Sequence, residues 1–218
     1  LKNRTAHLRW LAEKLAKQNL VPDNDDLGIA RRVYATKVST ALELDKIDFT
    51  RITNRNILVS LHLQRYLGLR REESLKIKPQ LADYGTHIAL QPSWCKGGRS
   101  RSVPITSPEA RFWLEEAKKL IQNPDQSLIP EGKSYIQHRH LYDNQVSRGG
   151  IRHAHGLRHA YAQERYKTLT GWACPKQGGP TSKQLNAEQK ALDQKARLIV
   201  SQELGHSREQ ITVIYLGR

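Results

Sequence analysis

Methionine is absent from this 218-residue chain, cysteine occurs only twice, and no apolar run approaches the length of a membrane span. Cys95 and Cys174 lie far apart and form neither a CxxC nor a zinc-knuckle spacing, so a disulfide framework is not expected. That pattern suits a reducing cytoplasm, and no signal peptide argues otherwise. A start at Leu1 and the lack of any Met lead us to expect part of a longer protein. Acidic residues are the scarcer charge, 21 Asp and Glu against 36 Lys and Arg, for a net charge of +15 and a pI near 10.0. An excess of that size calls for a polyanion. Nucleic acid fits better than a membrane surface, because no amphipathic basic helix is apparent. Charge alone leaves open a merely basic soluble protein.

The length allows one sizeable domain, or one domain and a fragment of another. Over residues 5–17, Leu8, Leu11, Ala12 and Leu15 fall on one helical face, and the polar run Asn19 to Asp26, with Pro22, ends the pattern. Residues 54–67 predict a helix closing at Gly68. The β-rich runs 86–90 and 101–105 flank Lys96-Gly97-Gly98, which suits a small sheet with a glycine turn. Helical patterns resume at 107–122, 134–147, 155–168 and 187–204. The fold class expected is mainly α with a small antiparallel β-sheet (α+β). Residues 170–186, rich in Gly and Pro, read as a long surface loop.

Four blocks stand out along the chain. They are Gly68-Leu69-Arg70-Arg71-Glu72-Glu73, then Lys96-Gly97-Gly98-Arg99-Ser100-Arg101-Ser102-Val103-Pro104, then His155-Gly156-Leu157-Arg158-His159, and finally Leu204-Gly205-His206 with Tyr215 nine positions after the histidine. Each is weak alone. Together, in this order, they resemble the catalytic domain of the tyrosine recombinase (phage integrase) family, across most of the chain. Residues 1–41 then resemble the tail of a helical core-binding (SAM-like) domain with its linker, and residues 42–218 the catalytic domain. The separation between Arg158 and His206 is longer than in most of the family, because of the 170–186 loop.

The residue types suit phosphodiester chemistry. A tyrosine hydroxyl attacking a DNA phosphate needs a proton acceptor, cations for the non-bridging oxygens and a proton donor for the leaving sugar oxygen. Arginine binds such oxygens bidentately and stays charged, and Arg70 and Arg158 are the candidates. Gly68-Leu69 sets Arg70 at a helix boundary, with Glu73 one turn later to hold it; Arg71 is the competing choice, otherwise a solvated residue. His155 and Arg158, three apart, share a helix face. Lys96, a flexible ammonium at a turn, is suited to enter a groove and protonate the leaving 5′ oxygen. Gly205 fits a left-handed helix end, Ser207 with Gln210 a capping box, and Ile211 with Ile214 anchors for a final short helix that turns Tyr215 toward the cluster. His138, His140, His153, His155 and His159 invite a zinc reading, but no HExxH or matched cysteine pair accompanies them, so neither metal nor cofactor is expected.

The resemblance implies Tyr215 as nucleophile, His155 as proton acceptor or hydrogen-bond donor, His206 as a hydrogen-bonding partner of the scissile phosphate, and His159 as support behind them. It implies DNA contacts by Arg71, Arg99 and Arg101. It further implies a 3′-phosphotyrosyl intermediate on double-stranded DNA, four protomers exchanging strands through a Holliday junction, accessory DNA-bending proteins, and a cytoplasmic enzyme that integrates or excises a mobile element. Two alternatives remain at this point: a type IB topoisomerase-like relaxing enzyme with the same chemistry, and a DNA-binding regulator with a decayed site.

Overall fold

Polar caps and glycines set where the helices begin and stop. The computed structural model describes residues 1–30, 38–206 and 208–218, and the chain divides into two units, Leu1–Thr36 and Lys37–Arg218. The expected linker region lies partly outside the described residues. In the first unit, α1 spans Lys2–Lys14 and a turn follows at Gln18–Leu20. Arg9 donates to the carbonyl of Pro22 and to Asn24, which folds the polar run back on the helix. Of the expected apolar face, Ala12 is buried while Leu8, Leu11 and Leu15 are exposed.

The second unit carries the remaining elements. Asn54 caps α2, Arg55–Leu67, by accepting from the amide of Ile57 at 3.1 Å. Gly68 closes it at φ +59°, and any Cβ there would lie 2.4 Å from the Tyr161 ring, so only glycine fits. Two short helices follow, α3 at Arg71–Lys76 and α4 at Pro79–Ala82. Among the described residues the sheet is an antiparallel pair, β1 (His87–Leu90) and β2 (Arg101–Pro104), with Leu90 opposite Arg101 and His87 opposite Pro104. The connection, residues 91–100, holds the expected glycine turn after a first 3-10 turn at Pro92–Trp94, and Trp94 is buried in the core. Gly97 and Gly98 do adopt positive φ beyond it.

Ser107 caps α5 (Pro108–Lys118), while Ser134 with Gln137 and Asn186 with Gln189 form capping boxes that open α6 (Tyr135–Arg148) and α8 (Ala187–Glu203). Between the last two lies α7, Gly156–Thr170, ended by Gly171 at φ +87°. The main core joins Val59, Leu63 and Leu67 of α2 to Ile88 and Val103 of the sheet, Leu114 of α5, Tyr166 of α7 and Val200 of α8. A second cluster, with Ile57, Leu61, Leu75, Tyr142 and Leu157, occupies the other side of α2. Each such aliphatic side chain contributes about 1.5–3 kcal/mol by leaving water.

The 170–186 loop is less free than a surface loop would be. Cys174 within it is fully buried, and the Trp172 indole donates to the Tyr166 hydroxyl at 3.2 Å. The last helix, α9, is the single turn Val213–Leu216, preceded by a 3-10 turn at Glu209–Thr212. That tighter turn changes the phase of the final residues. Leu216 and Tyr215 therefore enter the core, whereas the expected anchor Ile214 faces out and Ile211 is half-buried.

Candidate active site

Glu73, at the start of α3, is fully buried and organises three arginines. Arg101 meets its carboxylate with both terminal nitrogens, at 2.8 and 2.6 Å, and Arg70 adds a contact at 2.7 Å. The amide of Arg70 donates to the other oxygen at 2.7 Å, and a nitrogen of Arg158 stands 3.9 Å away. Burial pushes the Glu73 carboxyl up, but the hydrogen bonds and charge of Arg101, then the Arg70 amide and the Arg158 charge, outweigh it and bring its pKa to about 2. Of the two adjacent arginines, Arg70 turns in and Arg71 turns out to Asp143 at 2.9 Å.

Arg158 comes from the first turn of α7 and is 1% exposed. Its terminal nitrogens donate to the carbonyls of Gly68 and Leu204, and Nε donates to the Tyr215 hydroxyl at 3.4 Å. The Leu204 carbonyl also accepts from Arg70, at 3.2 Å, and the Glu203 carbonyl accepts from Arg101 at 2.7 Å. Carbonyls at the end of α8 are the negative pole of that helix, so guanidinium groups dock there favourably. Burial, opposed by the Tyr215 oxygen and reinforced by Arg70 and Arg101, lowers the Arg158 pKa to about 10. It remains a cation at neutral pH.

Gly205 adopts φ +68° as expected, and a Cβ on it would sit 3.0 Å from the Arg101 side chain. His206 follows, its amide bonded to the Ser201 carbonyl at 2.9 Å, while Ser201 Oγ donates to Arg208 at 2.8 Å. The capping box expected at Ser207 lies outside the described residues. His206 Nε2 is 3.5 Å from the Tyr215 hydroxyl. Burial, then the charges of Arg158, Arg70 and Arg101, lowers the His206 pKa to about 4.

The His159 ring lies 4.5 Å from that of Tyr215, and its Nδ1 pairs with the Thr40 hydroxyl at 3.2 Å. Burial and neighbouring cations bring its pKa to about 4 as well. His155, at 6.1 Å from the Tyr215 ring, opens to solvent on one side; crowding by protein on the others, followed by Arg158 and Arg70, shifts its pKa downward. Three histidines thus surround a tyrosine that is 4% exposed.

Arg70, Glu73, His155, Arg158, His159, His206 and Tyr215 therefore form one cluster. Lys96 and Arg99 stand apart on the exposed hairpin loop. An open groove of about 520 Å³ runs between that loop, at Gly98 to Arg101, and the end of α8 at Gln202, Gly205 and His206. Arg101, expected against DNA, lies inward on Glu73 with its side chain 5% exposed. A period-2 reading of β2 carries the signal for this, since Arg101 shares a face with the fully buried Val103. Among the described residues, no group of three or more His, Cys, Asp or Glu side chains is arranged to hold a metal ion, and no helix is long and apolar enough to cross a membrane.

A family model described as Integrase matches residues 31–164. The chain belongs to the integrase family. The matched segment holds Arg70, Glu73, Lys96, Arg101, His155 and Arg158, while His206 and Tyr215 lie beyond it. A search of curated proteins gives no match. Integrase membership makes DNA the partner and recombination the general activity.

Sequence reasoning missed three further side chains that touch the tyrosine's own helix. Gln163 donates to the Tyr215 carbonyl at 2.9 Å, Arg197 to the Gly217 carbonyl at 2.8 Å, and Lys176 to the Ile214 carbonyl at 2.6 Å. Helical spacing offers a partial signal for Gln163, which follows His159 by one turn on α7. Lys176 carries none.

Proposed function

We propose that this integrase cleaves and rejoins DNA with Tyr215 as nucleophile, through a 3′-phosphotyrosyl intermediate, in site-specific integration or excision of a mobile element. The observation that supports it most is charge: three guanidinium groups surround one buried carboxylate, and a tyrosine hydroxyl touches the most buried of them. Unbalanced cations in a low-dielectric site are costly until an anion joins them. A phosphodiester placed beside Tyr215 supplies that anion.

In this reading Arg70 and Arg158 carry the growing charge on the non-bridging oxygens. Neutral His206 and His155 receive or share the tyrosine proton, and their basicity rises as the phosphate anion arrives. Lys96, exposed on the hairpin loop, has the role of protonating the leaving 5′ oxygen. Atoms balance: the Tyr215 oxygen bonds to phosphorus, the bond from phosphorus to the 5′ oxygen breaks, and that oxygen leaves as a hydroxyl. A 5′-hydroxyl from a second strand then reverses the step, and no metal is drawn on. Four protomers on paired sites complete the exchange, with residues 1–41 as the tail of a core-binding domain and residues 42–218 as the catalytic domain. Incubation with DNA carrying the cognate site, followed by denaturation and sequencing of the attached strand, tests this: protein linked to a 3′ phosphate through Tyr215 is expected, and linkage elsewhere, or none, rejects it.

A further inference from the structure

A one-turn helix has almost no stability of its own, because nucleation outweighs the few bonds it forms. Its last carbonyls lack partners inside the helix. In α9 and at Gly217, which caps it, three carbonyls are taken by side chains from three different elements: Ile214 by Lys176 of the 171–186 loop, Tyr215 by Gln163 of α7, and Gly217 by Arg197 of α8. The Val213 carbonyl accepts from the amide of Gly217 at 3.0 Å. Cationic donors on two of them also suit the negative end of a helix.

The loop is built to deliver its share. Cys174 is fully buried and fixes the chain two residues before Lys176, and Trp172 is tied to the Tyr166 hydroxyl. That hydroxyl donates to Asp193 at 2.5 Å, and Asp193 receives Arg197 at 2.9 Å. One chain of bonds therefore runs from the loop through α7 and α8 to the Gly217 carbonyl. From the other side, Pro175 and Lys176 press against Gly217 so closely that a Cβ there would approach them to 3.1–3.3 Å.

We propose that the 171–186 loop is a strap that fixes α9 within its own protomer, with Lys176 as a positioning residue for Tyr215. This rests on Tyr215 as nucleophile. Lys176 acts on the backbone one residue before the tyrosine and keeps its hydroxyl against Arg158 Nε and His206 Nε2. Loss of the strap lets α9 drift. A displacement of about 1 Å at a reacting group costs roughly 100-fold in rate.

The test compares unsubstituted protein with Lys176→Met, which keeps side-chain length without the donor, and Lys176→Arg, which restores one. Covalent attachment is timed in single turnover at saturating DNA, DNA affinity is measured separately, and amide hydrogen exchange is followed over residues 213–218 without DNA. Lys176→Met is expected to speed exchange in that segment and slow attachment roughly 10- to 100-fold, with affinity changed less than about threefold, and Lys176→Arg to recover most of the rate. Unchanged exchange, an unchanged rate, or a defect confined to affinity overturns the strap and leaves the nucleophile standing. If the unsubstituted protein forms no adduct, the nucleophile assignment falls and takes this role for Lys176 with it.

Discussion

Arg158 donates through Nε to the Tyr215 hydroxyl at 3.4 Å while its two terminal nitrogens hold main-chain carbonyls of Gly68 and Leu204. The arginine is thus locked by backbone on one edge and presents the other to the tyrosine. Phosphate contact needs only the hydrogens that the carbonyls leave unused.

Replacing Tyr215 with Phe removes two long hydrogen bonds, to Arg158 at 3.4 Å and His206 at 3.5 Å, and keeps the buried ring. Stability is expected to change by less than about 1 kcal/mol. Covalent attachment to DNA should vanish while DNA affinity stays nearly intact. Adduct formed by the Tyr215→Phe protein would refute the assignment.

Glu73→Gln strips the buried countercharge from Arg101 and Arg70. Leaving such cations unpaired costs about 3–5 kcal/mol, to be read as a lower urea midpoint. A loss under about 1 kcal/mol would show that the arginines re-pair elsewhere.

Lys96 is exposed, so Lys96→Ala should leave stability unchanged and act on chemistry alone. As a general acid it is worth about 100-fold or more on an ordinary phosphodiester. A bridging 5′ sulfur leaves as a thiolate without needing a proton, its pKa lying nearer the thiol reference of about 8.5. On that substrate Lys96→Ala is expected to match the unsubstituted rate, whereas Arg70→Ala and Arg158→Ala stay slow. Equal defects on both substrates would make Lys96 a DNA contact instead.

His62, His138 and His159 are buried and have pKa values near 4, chiefly through burial. A base whose folded pKa is depressed leaves the unfolded chain binding more protons between about pH 4 and 6.5, so stability is full above 6.5 and falls as pH drops toward 4. The loss is on the order of 1–3 kcal/mol per histidine by pH 4. Glu73 acts in a separate, lower window, its contribution lost as pH falls through about 2. Neither ring nitrogen of His138 has a partner among the described residues, so His138→Phe should reduce the drop in urea midpoint from pH 7 to 5 at little cost at pH 7. An unchanged slope would locate the acid sensitivity elsewhere.

Local chemistry in the sequence announced much of this arrangement. The helix starts expected at 54, 107, 134 and 187 fall within one residue of those observed, and Gly68 and Gly205 marked ends, because caps and left-handed turns depend on near neighbours. The spacing of Arg70 with Glu73 was visible for the same reason. What stayed hidden is long-range: Arg101 reaching Glu73, Lys176 reaching Ile214, and the shift of the final helix that turns Ile214 outward. Those depend on which elements meet, and on the 3-10 turn at Glu209–Thr212 that rephases the residues after it.

The Leu204 carbonyl, accepting from Arg70 and Arg158 together, is a shared hub that no side-chain replacement at 204 can delete. Its direction is decided by where α8 stops, and Gly205 decides that. An alanine at 205 would strain the left-handed turn and crowd Arg101 in one stroke. A position on which the alignment of both arginines depends is thus occupied by a residue with no functional group at all, which screens that alter only charged or nucleophilic side chains would pass over.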